Sequence, residues 1–151
     1  MIADRLKALG LTLPPATAPV ANYVPSVRAG GLLHISGQIP IDAAGQPMTG
    51  RLGAELTVAE GAEAARRCAL ALVAQLGAAD PDFARLERWV KLTVFVASAP
   101  GFTDQPQVAN GASDLLVALF GDRGRHARSA VGVAALPLGV AVEIDAIVAL
   151  R

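Results

Sequence analysis

Two ionisable residues occupy settings in which their chemistry would have consequences. Arg128 is flanked by Ala127, Ser129, Ala130 and, further on, Gly132, so a planar guanidinium with five N–H donors is surrounded by space instead of bulk. Such a group can hold a carboxylate through two parallel hydrogen bonds. An arginine at a strand end can equally pair with a carboxylate on its own surface, and residue type alone leaves both readings open. Glu143 interrupts the apolar run 140–144. A carboxylate there either meets a partner or acquires a raised pKa suited to moving protons. Strand alternation offers a second account, because it puts Glu143 and Asp145 on the face opposite Val142 and Ile144, toward solvent.

Three further positions could shape a ligand site. Ser36 and Gly37 end a strand-like segment, where freed backbone N–H groups could meet an anion, or could simply mark a turn. Asn110 stands inside a helical pattern, where it is a mediocre helix former with two donors and an acceptor to offer a ligand, or to water. Tyr23, the only tyrosine, brings a hydroxyl to the edge of a strand, unless it is a core tyrosine with that hydroxyl satisfied. Other templates fail. His34 and His126 lack companions at metal-ligand spacing, and the lone Cys68 lies on the apolar side of a helix and reads as packing. No phosphate loop, dinucleotide fingerprint or serine-hydrolase elbow is present.

The elements that must position these groups follow from pattern. Residues 1–9 read as a short amphipathic helix broken by the proline-rich segment 13–19. Residues 23–28 and 32–36 form a hairpin across Gly30 and Gly31. Residues 37–53 are a long loop, a length often associated with function. Thr57 and Glu60 have capping-box spacing, and an apolar stripe from Val58 to Leu76 describes a long helix that ends at Gly77. Residues 88–97 alternate as a central strand, with Trp89 and Phe95 on the face away from Leu92 and Val94. Pro106 opens a second helix, which Gly121 ends. Residues 128–133 and 140–150 close the chain as strands. This order predicts an α+β fold with two helices covering one face of a single sheet. The other face, carrying Trp89, Phe95 and Ile147, is left for a second copy of the chain.

The 151 residues, 53 % of them apolar, suit one domain spanning 1–151 with residues 1–20 as an N-terminal extension. Thirteen basic residues balance thirteen acidic ones, so no basic excess exists to neutralise a phosphate backbone, and nucleic acid is an unpromising partner. The absence of a long uncharged apolar run argues against a membrane span. Asp4, Arg5 and Lys7 argue against a signal peptide, and a cytoplasmic location is expected.

Three blocks, in order and at fitting distances, make a pattern that is specific only in combination. His34-Ile35-Ser36-Gly37-Gln38-Ile39-Pro40 is similar to an S-G-Q-I/V-P strand end, Ala127-Arg128-Ser129-Ala130-Val131 to an A-R-S-x-V strand, and Leu136-Pro137 with Val142-Glu143-Ile144-Asp145-Ala146 to an L-P…V/I-E-I-E/D-A signature. Together they resemble the reactive-intermediate deaminase family (RidA/YjgF, also called endoribonuclease L-PSP) from about Tyr23 to the C-terminus. The resemblance implies a chorismate-mutase-like fold, a homotrimer with clefts between subunits, and hydrolysis of 2-imino or 2-enamino acids to 2-keto acids and ammonia without metal or cofactor. It also implies roles: Arg128 for the substrate carboxylate, Glu143 for the attacking water, and Tyr23, Ser36, Gly37, Asn110 and Ala130 around the ligand. Proximity alone would pair the last two strands as a hairpin, whereas the resemblance inserts the final strand between earlier ones. Ala130 departs from the pattern, since many members carry cysteine there, and the substrate is the property this puts most in question. A non-catalytic trimeric binder of small carboxylates is the alternative, with endoribonuclease activity a third.

Overall fold

The computed structural model describes all 151 residues. Eight regular elements follow in the order α1 (Ile2–Ala8), β1 (Ser26–Ala29), β2 (Leu32–Gln38), α2 (Val58–Ala79), β3 (Leu86–Ala97), α3 (Gln105–Phe120), β4 (Ala127–Val133) and β5 (Val142–Leu150). The strands form one mixed sheet in the order β1-β2-β5-β3-β4. The final strand therefore lies between β2 and β3, antiparallel to both, while β4 runs parallel to β3 at the edge. The hairpin that chain proximity suggests for the last two strands does not form.

The capping box holds as expected: Thr57 Oγ1 accepts from the Glu60 N–H at 3.2 Å and Glu60 Oε2 accepts from the Thr57 N–H at 2.8 Å. It opens α2, whose fully buried Ala65, Cys68, Leu72, Val73 and Leu76 lie on the sheet side. Gly77 does not end the helix, which runs on to Ala79 before the Asp80 cap. A side chain at 77 would press on the Phe83 ring, 3.3 Å away, so this glycine serves close packing. Gly121 does end α3, with φ at 61°.

A third helix joins the two expected over the sheet. Leu6 of α1 is buried, and Arg5 Nη1 donates to the Leu119 carbonyl of α3. Beyond Gln38 the loop is held by bridges from Thr49 to Val140 and from Leu52 to Ser98, with Leu52 wholly buried. No helix is long and apolar enough to cross a membrane.

Trp89 corrects the strand reading. Pairing shifts between Trp89↔Val148 and Lys91↔Ile147, so Val90 is an extra residue in β3. Such a bulge reverses the facing of the residues just before it, until a further shift between Leu86 and Arg88 restores it. Trp89 therefore turns into the core, fully buried beside Phe120 with ring centroids 5.6 Å apart. Phe95 and Ile147 do point to the uncovered face, which also presents Val27, Leu32 and Val131 at 52, 38 and 44 % exposure. For aliphatic side chains those fractions leave an apolar surface against water.

Candidate functional site

Arg128 is placed by register. It pairs with Leu92, a core residue, so its side chain leaves the sheet on the helix-covered side. There it meets one stripe of α3. Pro106, Asn110 and Ser113 recur at four- and three-residue intervals, which on a helix is one face. Arg128 Nη1 donates to Asn110 Oδ1 at 2.9 Å and to Ser113 Oγ at 3.1 Å, and Nη2 donates to the Pro106 carbonyl at 3.4 Å. All three acceptors are neutral. The surface carboxylate that could have claimed this guanidinium is not its partner, and its charge remains available to an anion. Ser113 Oγ is in turn 2.9 Å from His126 Nε2, whose Nδ1 lies 2.7 Å from the Gly124 carbonyl. Ala130 pairs with Val94 and follows Arg128 on the same face, adding little bulk.

Glu143 leaves the opposite face. Its register partner is Phe95, one of the residues of the uncovered side. It is half-buried, and burial, helped by the negative charge of Asp145, pushes its pKa up. The environment thus favours the protonated form more than water would, which suits a carboxyl that takes and returns a proton. Ile35↔Ala146 and Gln38↔Ile144 leave Ser36 and Gly37 together opposite the single residue Asp145, a bulge in β2. A Cβ on Gly37 would overlap Glu143 Oε1 and lie 3.0 Å from Cδ, so only glycine admits the carboxylate at this place.

Ser36 ties the preceding segment to the same spot. Its Oγ donates to the Val24 carbonyl at 3.0 Å and its N–H to that of Pro25 at 2.9 Å, which brings the exposed Tyr23 to this end of the sheet. Cys68, on the covered side, approaches the Val142 carbonyl at 3.5 Å. Burial and the Glu143 charge push its thiol well up, which leaves it inert packing.

One chain therefore holds these residues in two separate groups: Arg128, Asn110 and Ala130 on the helix side, and Glu143, Gly37, Ser36 and Tyr23 around the other face. With β3 between β4 and β5, no single chain brings Arg128 and Glu143 together. No group of three or more His, Cys, Asp or Glu residues is arranged to hold a metal.

A family model described as endoribonuclease L-PSP matches residues 14–150. The chain belongs to this family, the RidA/YjgF proteins. It is 57 % identical over 151 residues to the protein TCP17 of Trypanosoma cruzi, covering 99 % of this chain and 94 % of that one. Among solved structures, the protein Atu1372 of Agrobacterium tumefaciens, of unknown function, superposes with a TM-score of 0.91 at 47 % identity, over 99 % of this chain and 94 % of its own. RidA of an Antarctic Psychrobacter superposes with a TM-score of 0.62 at 28 % identity, over 89 % of this chain and 94 % of its own. The fold is thus that of the L-PSP proteins, an α+β arrangement with one five-stranded sheet and three helices.

Within this L-PSP chain, two participants escape a reading of the sequence. Ser113 and His126 lie 13 positions apart and match no motif. A weak signal exists nonetheless. Ser113 is one helical turn beyond Asn110, and His126 precedes Arg128 by two residues, so strand alternation puts it on the same side.

Proposed function

We propose that this RidA/YjgF protein hydrolyses 2-imino acids, and their enamine tautomers, to 2-keto acids and ammonia in clefts formed between copies of the chain. The observation that carries the reading is the division of the machinery. A cationic half with neutral hydrogen-bond partners and a carboxyl half with a raised pKa leave opposite faces of one sheet, so either is complete only beside another chain. The apolar uncovered face around Val27, Leu32, Phe95, Val131 and Ile147 supports such an assembly, with the trimer of the family as the expected form.

The chemistry follows from the groups. Arg128, held on Asn110 and Ser113, takes the substrate carboxylate and fixes the imine carbon at one place. Glu143, as the carboxylate, takes a proton from water as the oxygen attacks that carbon, and the C=N π pair moves to nitrogen. Glu143 then returns the proton to the amino group of the carbinolamine. The C–N bond breaks with its electron pair going to nitrogen, the hydroxyl proton passes to the departing ammonia, and a keto acid and ammonium leave. A protonated imine is already electrophilic, so alignment of water and substrate supplies much of the acceleration.

The test generates 2-aminocrotonate with a dehydratase and follows 2-ketobutyrate release. Wild type is expected to accelerate release, and Arg128→Ala to abolish the acceleration with the assembly intact. No acceleration by wild type would sink the reading. A carboxylate binder without catalysis would instead bind 2-ketobutyrate through Arg128 while Glu143→Gln changed nothing in turnover.

A further inference from the structure

Ser113 and His126 are joined to Arg128 by hydrogen bonds whose direction chemistry fixes. The Gly124 carbonyl can only accept, so its 2.7 Å contact places the ring proton of His126 on Nδ1. In neutral imidazole Nε2 is then an acceptor, and the 2.9 Å contact requires the Ser113 hydroxyl to donate to it. The lone pairs of Ser113 Oγ are thereby left for Arg128 Nη1 at 3.1 Å. Burial first lowers the His126 pKa, the bond to the Gly124 carbonyl opposes it and the Arg128 charge adds to the lowering, and the net direction favours the neutral ring that this arrangement needs.

The arrangement matters because a guanidinium on a long, flexible stem loses side-chain freedom when it is held in one pose. Without Ser113, Arg128 would keep Asn110 at 2.9 Å and only the long contact to Pro106 at 3.4 Å. Ser113 also points a lone pair, not a proton, at the cation, and it does so because His126 takes the proton.

We propose that Ser113 and His126 are positioning residues for the carboxylate clamp, with His126 orienting the Ser113 hydroxyl and Ser113 holding the inner Nη1 edge of Arg128 so that its remaining N–H groups face the ligand. The proposal rests on the reading of Arg128 as the carboxylate-holding group.

The test combines imine-hydrolysis kinetics with calorimetric binding of 2-ketobutyrate, which needs no turnover. Ser113→Ala is expected to raise KM and the product Kd about tenfold, the worth of one charge-assisted hydrogen bond, with kcat within about twofold of wild type. Ser113→Thr keeps the hydroxyl and is expected to restore most of the affinity. His126→Phe is expected to raise KM in the wild-type background and to add nothing in the Ser113→Ala background, because its effect passes through the hydroxyl. His126→Val provides the same comparison should the larger ring disturb β4. The proposal is overturned by an unchanged Kd in Ser113→Ala while Arg128→Ala loses binding, by additive effects of the two substitutions, or by a fall in kcat alone, which would mark Ser113 as a nucleophile. A wild type that neither turns over imine nor binds keto acid overturns the Arg128 reading itself, and this proposal with it.

Discussion

Glu143 and Gly37 are a pair in which the second residue exists to make room for the first. Gly37 is not among the glycines with left-handed φ, so alanine is compatible with its backbone. Its Cβ would nevertheless fall on the Glu143 carboxylate. Gly37→Ala is therefore expected to fold with little loss of stability and to push the carboxylate aside. A displacement of about 1 Å at a reacting group can cost about a hundredfold in rate, and steady-state kinetics beside a thermal melt will separate the two effects. The pH profile tests the same residue. Glu143 must be ionised to take the proton from water, so kcat/KM should fall as pH drops through its pKa, which burial first and Asp145 second hold above the ordinary carboxylate range. Asp145→Asn removes the second cause alone, so the acid limb should move to lower pH without reaching the limb of an exposed carboxylate. An unmoved limb would show that another group governs it. At this scale Arg128 and Glu143 could be singled out by type and neighbours, because an arginine among alanines and an acid among valines are conspicuous. Ser113 and His126 could not, since what makes them matter is a contact across 13 residues, and neither type is unusual where it stands.

Gly111 illustrates the element scale. It sits in the middle of α3, where helix propensity favours alanine by about 1 kcal/mol. A Cβ there would lie inside the van der Waals surface of the Ala62 carbonyl oxygen, a backbone atom of α2 that cannot turn away. The two helices touch at this point because Gly111 puts no side chain between its backbone and that of Ala62. Since Asn110 and Ser113 flank Gly111 on α3, the closeness of this crossing also sets where the Arg128 partners stand. Gly111→Ala should forfeit the propensity gain and destabilise the fold by about 1–3 kcal/mol, the usual cost of overpacking. A urea transition is the measurement, and an increase in stability would mean that the helices separate freely. The helices themselves were legible, because a capping box, an apolar stripe and a proline start are local signals. The bulges at Val90 and at Ser36-Gly37 were not. Each depends on how one strand is counted against another, which is why Trp89 was expected on the open face and lies instead in the core.

For the whole molecule, the decisive fact is the place of β5. Its own residues alternate clearly, yet nothing in them says that they pair with β2 and β3 and not with the β4 strand just before them in the chain. That pairing is a global choice among sheet orders, and only the likeness of three separated motifs to a known family pointed to it. Its consequence is that β3 separates Arg128 from Glu143, whose registers already put them on opposite faces, and this makes a prediction about mixtures of chains. Arg128→Ala and Glu143→Gln are each expected to be inactive alone. If every cleft takes Arg128 from one chain and Glu143 from the next, refolding the two variants together in equal amounts builds some clefts in which both residues are wild type. Random assortment around a closed ring makes that fraction about one quarter, whatever the number of subunits. Recovery of roughly that share of wild-type turnover, with neither variant active alone, is the expected result. Clefts built within single chains would give no recovery at any mixing ratio, because every chain would still lack one of the two groups.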